Sequence, residues 1–401
     1  MIWPRVPLGE IFTIARGGSP RPIDAFITDD PDGVNWIMIG DASEGSKYIS
    51  STKKRIRKEG VSRSRTVKPG DFLLTNSMSF GHPYILDTSG CIHDGWLVLS
   101  PQDGNVNQDF FYHLLGSPLV YAEFERLAAG AVVKNLNSEL VRGVKVPLPP
   151  LAEQRRIADI LDKANAIRRK RKEAIALTEE LLRSAFLEMF GDPVTNPKGW
   201  PVKPLGDLLD AIDSGWSPVC EARPASDDEW GVLKLGAVTF GRYNPYETKA
   251  LSPDLSPVPE LEVRAGDVLF SRKNTYEHVA ACVFVANTRP KLMLPDLIFR
   301  FVLSKTSGLR PETLWALLSN ERMRKKLQGL AGGTAGSMPN ISKERLKTVN
   351  LPVPPLALQE RFAAAMRGSE STRTALDAAA RESEVLFDSL VARAFSGGLG
   401  A

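Results

Sequence analysis

The sequence predicts an α+β protein built as an internal tandem repeat, in which two globular portions alternate with two long helices. Two observations lead to this prediction. A proline-rich turn followed by a helix-forming segment occurs twice, and each copy follows a stretch of short strand and turn patterns. Two similar halves in one chain also predict pseudo-twofold symmetry. We expect globular domains at 1–150 and 191–355, and long helices at 151–190 and 356–396.

The proline-rich turn is the clearest repeated element. VPLPPLAEQRR at 146–156 matches LPVPPLALQER at 351–361, a displacement of 205 residues. The same displacement continues without a gap through the segments that follow, where Phe190 matches Phe395. Chance does not produce a match of this length, so we interpret the two segments as copies.

Both segments that follow the prolines predict helices, because good helix formers dominate and neither segment contains proline. A stripe of apolar, small and matching polar residues recurs at alternating steps of four and three. This heptad spacing predicts helices that pack on each other in a coiled coil, and about 38 residues make a spacer of roughly 55–60 Å. The predicted seam positions are Ile157, Leu161, Ala164, Arg168, Arg171, Ile175, Thr178, Leu182, Ala185 and Met189, then Phe362, Met366, Ser369, Arg373, Leu376, Ala380, Ser383, Phe387, Leu390 and Ala394.

The globular portions repeat more weakly but in the same order. GGSP at 17–20 matches GWSP at 215–218, and VKPGDFLLTNS at 67–77 matches VRAGDVLFSRK at 263–273. A Gly-Asp pair before an apolar run is typical of a turn into a strand. Each portion therefore predicts short strands and turns with some helix, an α+β domain.

Composition excludes several classes of protein. Hydrophobic residues make up 43% of the 401 residues and charged residues 24%, which is ordinary globular usage. No apolar run has the length of a membrane span, and the N-terminus lacks a signal-peptide pattern, so we expect no membrane contact and a cytoplasmic protein. Cys91, Cys220 and Cys282 lie far apart, which excludes a disulfide framework.

Catalytic motifs are missing from the sequence. There is no phosphate-binding loop for ATP, and Asn244-Pro245-Tyr246 is one proline short of an amino-methyltransferase motif. Glu247 and Lys249, with Asp227 or Asp228, imitate a metal-nuclease pattern. A stand-alone metal-dependent DNA-cleaving enzyme is therefore the alternative function. We expect no catalytic residues, no metal site and no cofactor.

The paired proline turns with their helices, the two P-L-G-[DE] starts and the two Gly-Asp strand entries resemble the specificity subunit of type I restriction-modification systems. The resemblance implies two target-recognition domains that each read one half of a split double-stranded DNA site, joined by long helices that pair as an antiparallel coiled coil. It also implies two methyltransferase (M) subunits and restriction/translocase (R) subunits as partners. Leu358 departs from the pattern, because the first copy has Glu153 there.

Candidate DNA-binding residues follow each Gly-Asp strand, where the two halves diverge. Arginine pairs well with guanine and asparagine with adenine, whereas lysine and hydroxyls mostly contact phosphate. The alternatives are loops that drifted freely and histidines that cap turns. The candidates are Asn76, Ser77, Ser79 and His82 in the first half, and Arg272, Lys273, Asn274 and His278 in the second, with Lys134, Asn135 and Asn340 from the glycine-rich segments and Arg242.

Two further sets of residues are candidates for contact. The cluster KKRIRK at 53–58 concentrates positive charge that can follow phosphates, and its alternative is a solvated face. Its candidate residues are Lys53, Lys54, Arg55, Arg57 and Lys58. The faithfully repeated proline turns predict partner binding through Gln154, Arg156, Gln359 and Arg361.

Overall fold

The computed structural model describes residues 3–42, 45–76, 80–128, 136–332 and 338–399. The chain divides into two compact units: unit 1 comprises 1–173 with 377–401, and unit 2 comprises 174–376. The predicted α+β class is confirmed, because each unit combines small sheets with helices. Each unit also contains one half of both long helices, so the units do not coincide with the predicted division at 150, 190 and 355.

Unit 1 is built from twelve strands and four short helices that precede the first long helix in the described part of the chain. The strands are β1 (Arg5–Pro7), β2 (Phe12–Arg16), β3 (Ile27–Thr28), β4 (Val34–Ile37), β5 (Tyr48–Ile49), β6 (Lys54–Ile56), β7 (Arg65–Val67), β8 (Phe72–Thr75), β9 (Pro83–Leu86), β10 (Gly90–Ile92), β11 (Trp96–Pro101) and β12 (Lys145–Pro147). The helices are α1 (Leu8–Ile11), α2 (Gln108–Leu115), α3 (Pro118–Ala128), α4 (Ser138–Arg142) and the long α5 (Leu151–Phe190).

Two five-stranded sheets form the body of unit 1, in the orders β3-β6-β4-β10-β7 and β2-β11-β8-β9-β5. Strand β8 is buried along its whole length, and its apolar side chains enter cores on both faces of the second sheet. One core contains Phe12, Phe72 and Phe111, whose rings meet edge to face at centroid distances of 5.0 and 5.6 Å. The buried β8 ends at Thr75, directly before the predicted reading residue Asn76.

Unit 2 uses the same kinds of elements with fewer strands. The strands are β13 (Val202–Pro204), β14 (Leu209–Ser214), β15 (Gly231–Leu233), β16 (Thr248–Ala250), β17 (Val268–Ser271), β18 (Cys282–Phe284), β19 (Leu292–Met293), β20 (Ile298–Leu303) and β21 (Asn350–Pro352). The helices are α6 (Leu205–Leu208), α7 (Gly236–Thr239), α8 (Pro311–Ser319), α9 (Glu321–Gln328), α10 (Lys343–Lys347) and the long α11 (Leu356–Phe395). The main sheet has the order β14-β20-β17-β18, so β17 is buried in it as β8 is in unit 1.

The long helices pair within each unit in opposite directions. In unit 1, Ile157 and Leu161 near the start of α5 share a core with Val391 and Phe395 near the end of α11. In unit 2, the ring of Phe190 near the end of α5 lies 5.3 Å from that of Phe362 near the start of α11. Every seam position that the heptad spacing predicts is buried or half-buried. None of the described helices combines the length and apolarity needed to cross a membrane.

Candidate nucleic-acid interface

In unit 1, three segments that are distant in sequence meet at the end of β8. Asn76 follows this strand and donates from Nδ2 to the carbonyl of Asp94 at 2.8 Å, while the amide of Leu136 donates to the carbonyl of Asn76 at 2.9 Å. The hydroxyl of Ser19 donates to Oδ1 of Asp94 at 2.8 Å. This hydrogen bond holds the pKa of the Asp94 carboxyl below its ordinary value. The strand end, the 93–95 turn and the Gly-Gly-Ser-Pro segment therefore form one loop cluster.

Unit 2 builds a corresponding cluster around Arg272 at the end of β17. Its Nε donates to the carbonyl of Asp296 at 2.6 Å, and its Nη1 donates to Oδ1 of Asn340 at 3.0 Å. The hydroxyl of Ser217 donates to Oδ1 of Asp296 at 2.5 Å, and the amide of Ile341 donates to the carbonyl of Arg272 at 2.9 Å. The same three kinds of segment thus converge in both units.

A glycine makes each convergence possible. A Cβ atom on Gly17 would lie 2.0 Å from the carbonyl oxygen of His93, and one on Gly215 would lie 1.9 Å from that of Leu294. No side chain fits at these distances, because real Cβ contacts are about 3.4 Å or more. The glycines of the repeated Gly-x-Ser-Pro motif therefore bring Ser19 and Ser217 within reach of their aspartates.

Two of the predicted reading asparagines are buried. Asn76 is 1% exposed and Asn274 is 7% exposed. The Nδ2 of Asn274 donates to Oγ1 of Thr239 at 3.1 Å, which ties the loop after β17 to helix α7. An amide that is already bonded inside its unit must break those bonds to reach a base, which costs free energy. Burial gives both side chains a part in holding the loops, which the sequence did not indicate.

The other predicted reading residues vary in exposure. His82 is exposed, while Arg272, Lys273, His278 and Asn340 are half-buried. Arg242 forms an ion pair with Glu179 on α5. Ser77, Ser79, Lys134 and Asn135 lie outside the described residues. His82, Lys273 and His278 are therefore the described candidates with side-chain surface free of ion pairs.

The basic cluster of unit 1 lies on β6 and the 3₁₀ turn that follows it. On this strand Ile56 is buried and Lys54 is exposed. Arg55 is half-buried and donates to the carbonyl of Pro31 at 3.1 Å. Among the described residues, none of the five predicted cations has a carboxylate within ion-pair distance, and four of them are exposed: Lys53, Lys54, Arg57 and Lys58.

Three arginines, Arg16, Arg21 and Arg65, extend this basic surface. The sequence did not predict Arg16 or Arg21 as part of it. Nε of Arg65 on β7 donates to the carbonyl of Arg16 at 3.3 Å, and Nε of Arg16 donates to the carbonyl of Asp94 at 3.0 Å. Arg21 lies 3.6 Å from the Asp94 carboxylate and its side chain is 81% exposed. The chain from Arg65 through Arg16 to Asp94 links the basic surface to the loop cluster. No local sequence signal joins residues 16, 65 and 94.

The residues that imitate the nuclease and amino-methyltransferase motifs have other contacts. Glu247 lies 2.7 Å from Nζ of Lys234, and the side chain of Asn244 accepts from the amide of Tyr246 at 3.0 Å in a turn. Across the described parts of the chain, no three His, Cys, Asp or Glu side chains are grouped to hold a metal ion. The described surface at 244–249 is a turn into β16.

Gln154 is fully enclosed behind the first proline turn. Its Oε1 accepts from the amide of Asn107 at 2.9 Å, and its Nε2 donates to the carbonyls of Asn105 and Pro149 at 3.0 and 2.9 Å. The side chain is 1% exposed. Its amide thus ties the start of α5 to the segment that begins α2.

Gln359 makes the same three kinds of bond in unit 2. Its Oε1 accepts from the amide of Arg310 at 2.8 Å, and its Nε2 donates to the carbonyls of Gly308 and Pro354 at 2.8 and 2.7 Å. Both glutamines are buried and hydrogen-bonded inside their own units. Arg156 and Arg361 therefore remain the surface candidates for a partner contact at this turn. Arg361 is exposed, while Arg156 binds Glu153 through two nitrogens at 2.7 and 2.8 Å.

Comparisons with known proteins agree with this picture of paired loop clusters on an α+β frame. Residues 2–177 match a family model described as the type I restriction modification DNA specificity domain. The specificity subunit of type I restriction enzyme EcoEI from Escherichia coli is 34% identical over 168 residues, 42% of this chain and 28% of that protein. The EcoKI specificity subunit from Escherichia coli K12 is 22% identical over 382 residues, 89% of this chain and 80% of that protein.

A solved structure shares the fold over nearly the whole chain. It comes from work on the complex assembly and conformational transition of the type I R-M system, with 19% identity and a TM-score of 0.60 over 99% of this chain and 98% of that one. The solved structure shows the fold, and the matched segment is similar to a DNA specificity domain. The resemblance seen in the sequence is therefore confirmed: residues 2–177 are similar to the type I restriction modification DNA specificity domain and to the EcoEI specificity subunit. It spans less than a third of the EcoEI subunit that it matches.

Proposed function

We propose that the chain is the non-catalytic DNA-recognition subunit of a type I restriction-modification complex, and that each unit reads one part of a split double-stranded DNA site. The observation that carries this proposal is the loop cluster that occurs once in each unit. In both, a buried strand ends directly before a polar residue, Asn76 or Arg272, beside an aspartate turn and a Ser-Pro segment. Two clusters on similar frames with different side chains are what two different half-sites require.

The basic surface of unit 1 supports the same function. Exposed cations without carboxylate partners attract phosphates and release counterions, which supplies affinity independent of sequence. Lys53, Lys54, Arg57 and Lys58 serve this purpose in the proposal, and Arg16, Arg21 and Arg65 extend it toward the loop cluster. Phosphate contacts here orient unit 1, while the loops after β8 read bases.

The tandem repeat and the antiparallel coiled coil also belong to this proposal. The matching bonds of Gln154 and Gln359 support the repeat, because the same side chain joins the same kinds of backbone groups in both units. Opposite helix directions within each unit support the coiled coil. The globular portions at 1–150 and 191–355 then serve as target-recognition domains, and the helices at 151–190 and 356–396 as spacers.

Two methyltransferase subunits and the motor-nuclease subunits are the proposed partners. Two similar surfaces in one chain suit two copies of one partner, as the symmetric surface of a dimer does. Arg361 and Arg156 near the proline turns are the exposed candidates for these contacts. We infer a cytoplasmic location, because the proposed complex acts on cellular DNA.

Methylome sequencing tests the function directly. A host strain with this gene is expected to carry methylated adenine in one split motif, and a strain with the gene deleted is expected to lose it. The purified chain mixed with its cognate methyltransferase subunit is expected to restore methylation of that motif alone. If the chain forms no complex and directs no site-specific methylation, the proposed function is wrong.

Substitution of Arg272 tests how the reading is divided between the units. We expect Arg272→Ala to relax one half of the motif at a cost of about 1–3 kcal/mol per lost base contact, and to leave the other half unchanged. Asn274→Ala is the control, because it removes the buried bond to Thr239 and reports loss of loop structure. Equal loss of both half-sites with Arg272→Ala contradicts the division.

A further inference from the structure

Two aromatic side chains of unit 2 point into solvent beside the loop cluster. Phe240, which follows α7, is 76% exposed, and Tyr276, in the loop after β17, is 66% exposed. Large apolar rings gain free energy from burial, about 25 cal/mol for each Å² removed from water.

Hydrogen bonds hold the backbone of the Tyr276 loop in place while its ring stays free. Nε2 of Gln328 on α9 donates to the carbonyls of Tyr276 and Glu277 at 3.2 and 3.3 Å. Nη2 of Arg324 donates to the carbonyl of Glu277 at 2.8 Å. A ring on a fixed backbone loses little conformational entropy on binding, which is typical of aromatic contact residues.

Phe240 is attached to the same loop. The preceding residue, Thr239, accepts the hydrogen bond from the buried Asn274, and the ring of Phe240 meets the imidazole of His278 edge to face at 5.7 Å. Phe240 and Tyr276 are therefore carried by segments that are bonded to each other. Asn274, which the sequence predicted as a base-reading residue, is buried and connects the two segments through its hydrogen bond to Thr239.

The charge of the adjoining helix indicates what these rings contact. Helix α9, which binds the Tyr276 loop through Arg324 and Gln328, has four cations and one carboxylate. Lys326 is exposed and has no ion pair within the described residues, Lys325 is exposed and pairs with Glu321 at 2.7 Å, and Lys273 lies in the loop itself. A fixed apolar side chain next to cations suits a nucleic acid, because the ring contacts bases while the cations contact phosphates.

We propose that Phe240 and Tyr276 are apolar DNA contacts of unit 2 that pack against a base step of its half-site, with the cations of α9 on the adjacent phosphates. The inference rests on the proposed function, since it names further residues of the same DNA-reading surface. It applies to unit 2 only. In unit 1 the residue that corresponds to Tyr276 is Phe80, which is 5% exposed and stacks on Tyr121 of α3 at 5.9 Å.

Photo-crosslinking tests this in the assembled complex. The full chain with Phe240→p-benzoylphenylalanine or Tyr276→p-benzoylphenylalanine is combined with its methyltransferase subunits and a duplex carrying the motif found by methylome sequencing. We expect ultraviolet light to link both positions to DNA. The matched control is Leu181→p-benzoylphenylalanine, an apolar position on α5 that is 71% exposed and is expected to give no DNA product.

Crosslinks from positions 240 and 276 to a methyltransferase subunit, or DNA products equally strong from position 181, overturn the inference. Affinity provides a second measurement that needs no unnatural residue. Phe240→Ala and Tyr276→Ala are each expected to weaken binding of the motif by about tenfold, the size of one lost base–aromatic contact. A wild-type complex that binds no duplex specifically refutes the proposed function. Specific wild-type binding that neither alanine variant weakens refutes only this inference.

Discussion

The loops after the two buried strands differ in what their aromatic residue does. In unit 1, Phe80 packs inward against Tyr121 of α3, whereas in unit 2 Tyr276 points outward. FFYHLLGS at 110–117 matches TLWALLSN at 313–320, and the same displacement places Arg324 of α9 at the position of Tyr121. Arg324 binds the loop through a backbone carbonyl instead of a ring. One substitution on a supporting helix thus goes with an aromatic residue that is core in one unit and surface in the other. Similar frames therefore do not imply similar reading surfaces.

A second difference lies where each unit rests on its long helix. In unit 1, Lys47 lies 2.6 Å from Asp109 and 2.9 Å from Asp162 of α5, and Nε2 of His113 lies 2.7 Å from Asp162. In unit 2 the helix position that matches Asp162 is Arg367, which lies 3.8 Å from Glu312. The helix charge is reversed, and the contact in unit 1 is closer and more enclosed.

The largest effect is expected from truncating the aromatic residues of the two loops. Phe80→Ala should destabilise unit 1 by about 3–5 kcal/mol, because it leaves a cavity beside Tyr121. Tyr276→Ala should change the stability of unit 2 by less than about 0.5 kcal/mol. Hydrogen exchange of peptides from each unit measures both. Similar losses in the two units would contradict the difference in packing.

The buried glutamines should instead show that the two units are alike. Gln154→Met and Gln359→Met keep the side-chain volume but leave three backbone groups without a partner. Each unsatisfied group costs about 1–3 kcal/mol, reduced where water reaches it, so we expect a loss of about 2–4 kcal/mol in the affected unit. Urea denaturation of the two variants measures this. If only one of the two substitutions lowered the stability of its unit, the two glutamines would contribute unequally to stability.

A smaller effect is expected from the helix contacts. Asp162→Asn should destabilise unit 1 by about 1–2 kcal/mol, because it weakens charge-assisted bonds from Lys47 and His113 at a half-exposed site. Arg367→Gln should cost less than about 0.5 kcal/mol, since its side chain is 66% exposed. Hydrogen exchange at the start of each long helix measures the loss of stability in both variants. An equal loss would contradict the difference between the two helix contacts.

The pH dependence follows from the same contact. Burial opposes ionisation of Asp162, but hydrogen bonds from His113 and Lys47 outweigh it and hold the pKa of this carboxyl below its ordinary value of about 3.9. A lowered folded-state pKa gives stability that is present above about pH 4 and is lost as the pH falls through the folded-state pKa. Protection of unit 1 should therefore decline in this acidic range, and Asp162→Asn should flatten the decline.

Substitutions at the basic surface are expected to have the smallest effect on stability. They are expected to change DNA binding measurably. Lys54→Ala and Lys58→Ala should leave stability unchanged within about 0.5 kcal/mol. Each should lower the slope of log affinity against log salt by about 1 if its side chain contacts a phosphate, without altering the motif. Lys170→Ala on the exposed face of α5 is the control. An altered motif would place these lysines at bases instead.

Local patterns foretold the parts of the structure that depend on nearby residues. The heptad spacing gave the buried stripe of both helices, because helical periodicity fixes which side chains share a face. The burial of Asn76 and Asn274 could not be foretold in this way, since each is enclosed by partners distant in sequence, such as Asp94 and Thr239. Both asparagines were predicted to contact DNA only because they are polar residues that follow a strand.

The sequence by itself determined the repeated order of elements, the two long helices, the cationic cluster and the resemblance to type I specificity subunits, because each is written in neighbouring residues or in a fixed displacement. Only the tertiary structure decided which repeated residues face inward. Gln154 and Gln359 lie buried and hydrogen-bond backbone groups inside their units. Phe240 and Tyr276 are exposed on the surface, and Arg65 donates a hydrogen bond to the carbonyl of Arg16. The physical reason is that burial and hydrogen bonding depend on what the folded chain brings together, and a linear pattern records only one side of each contact.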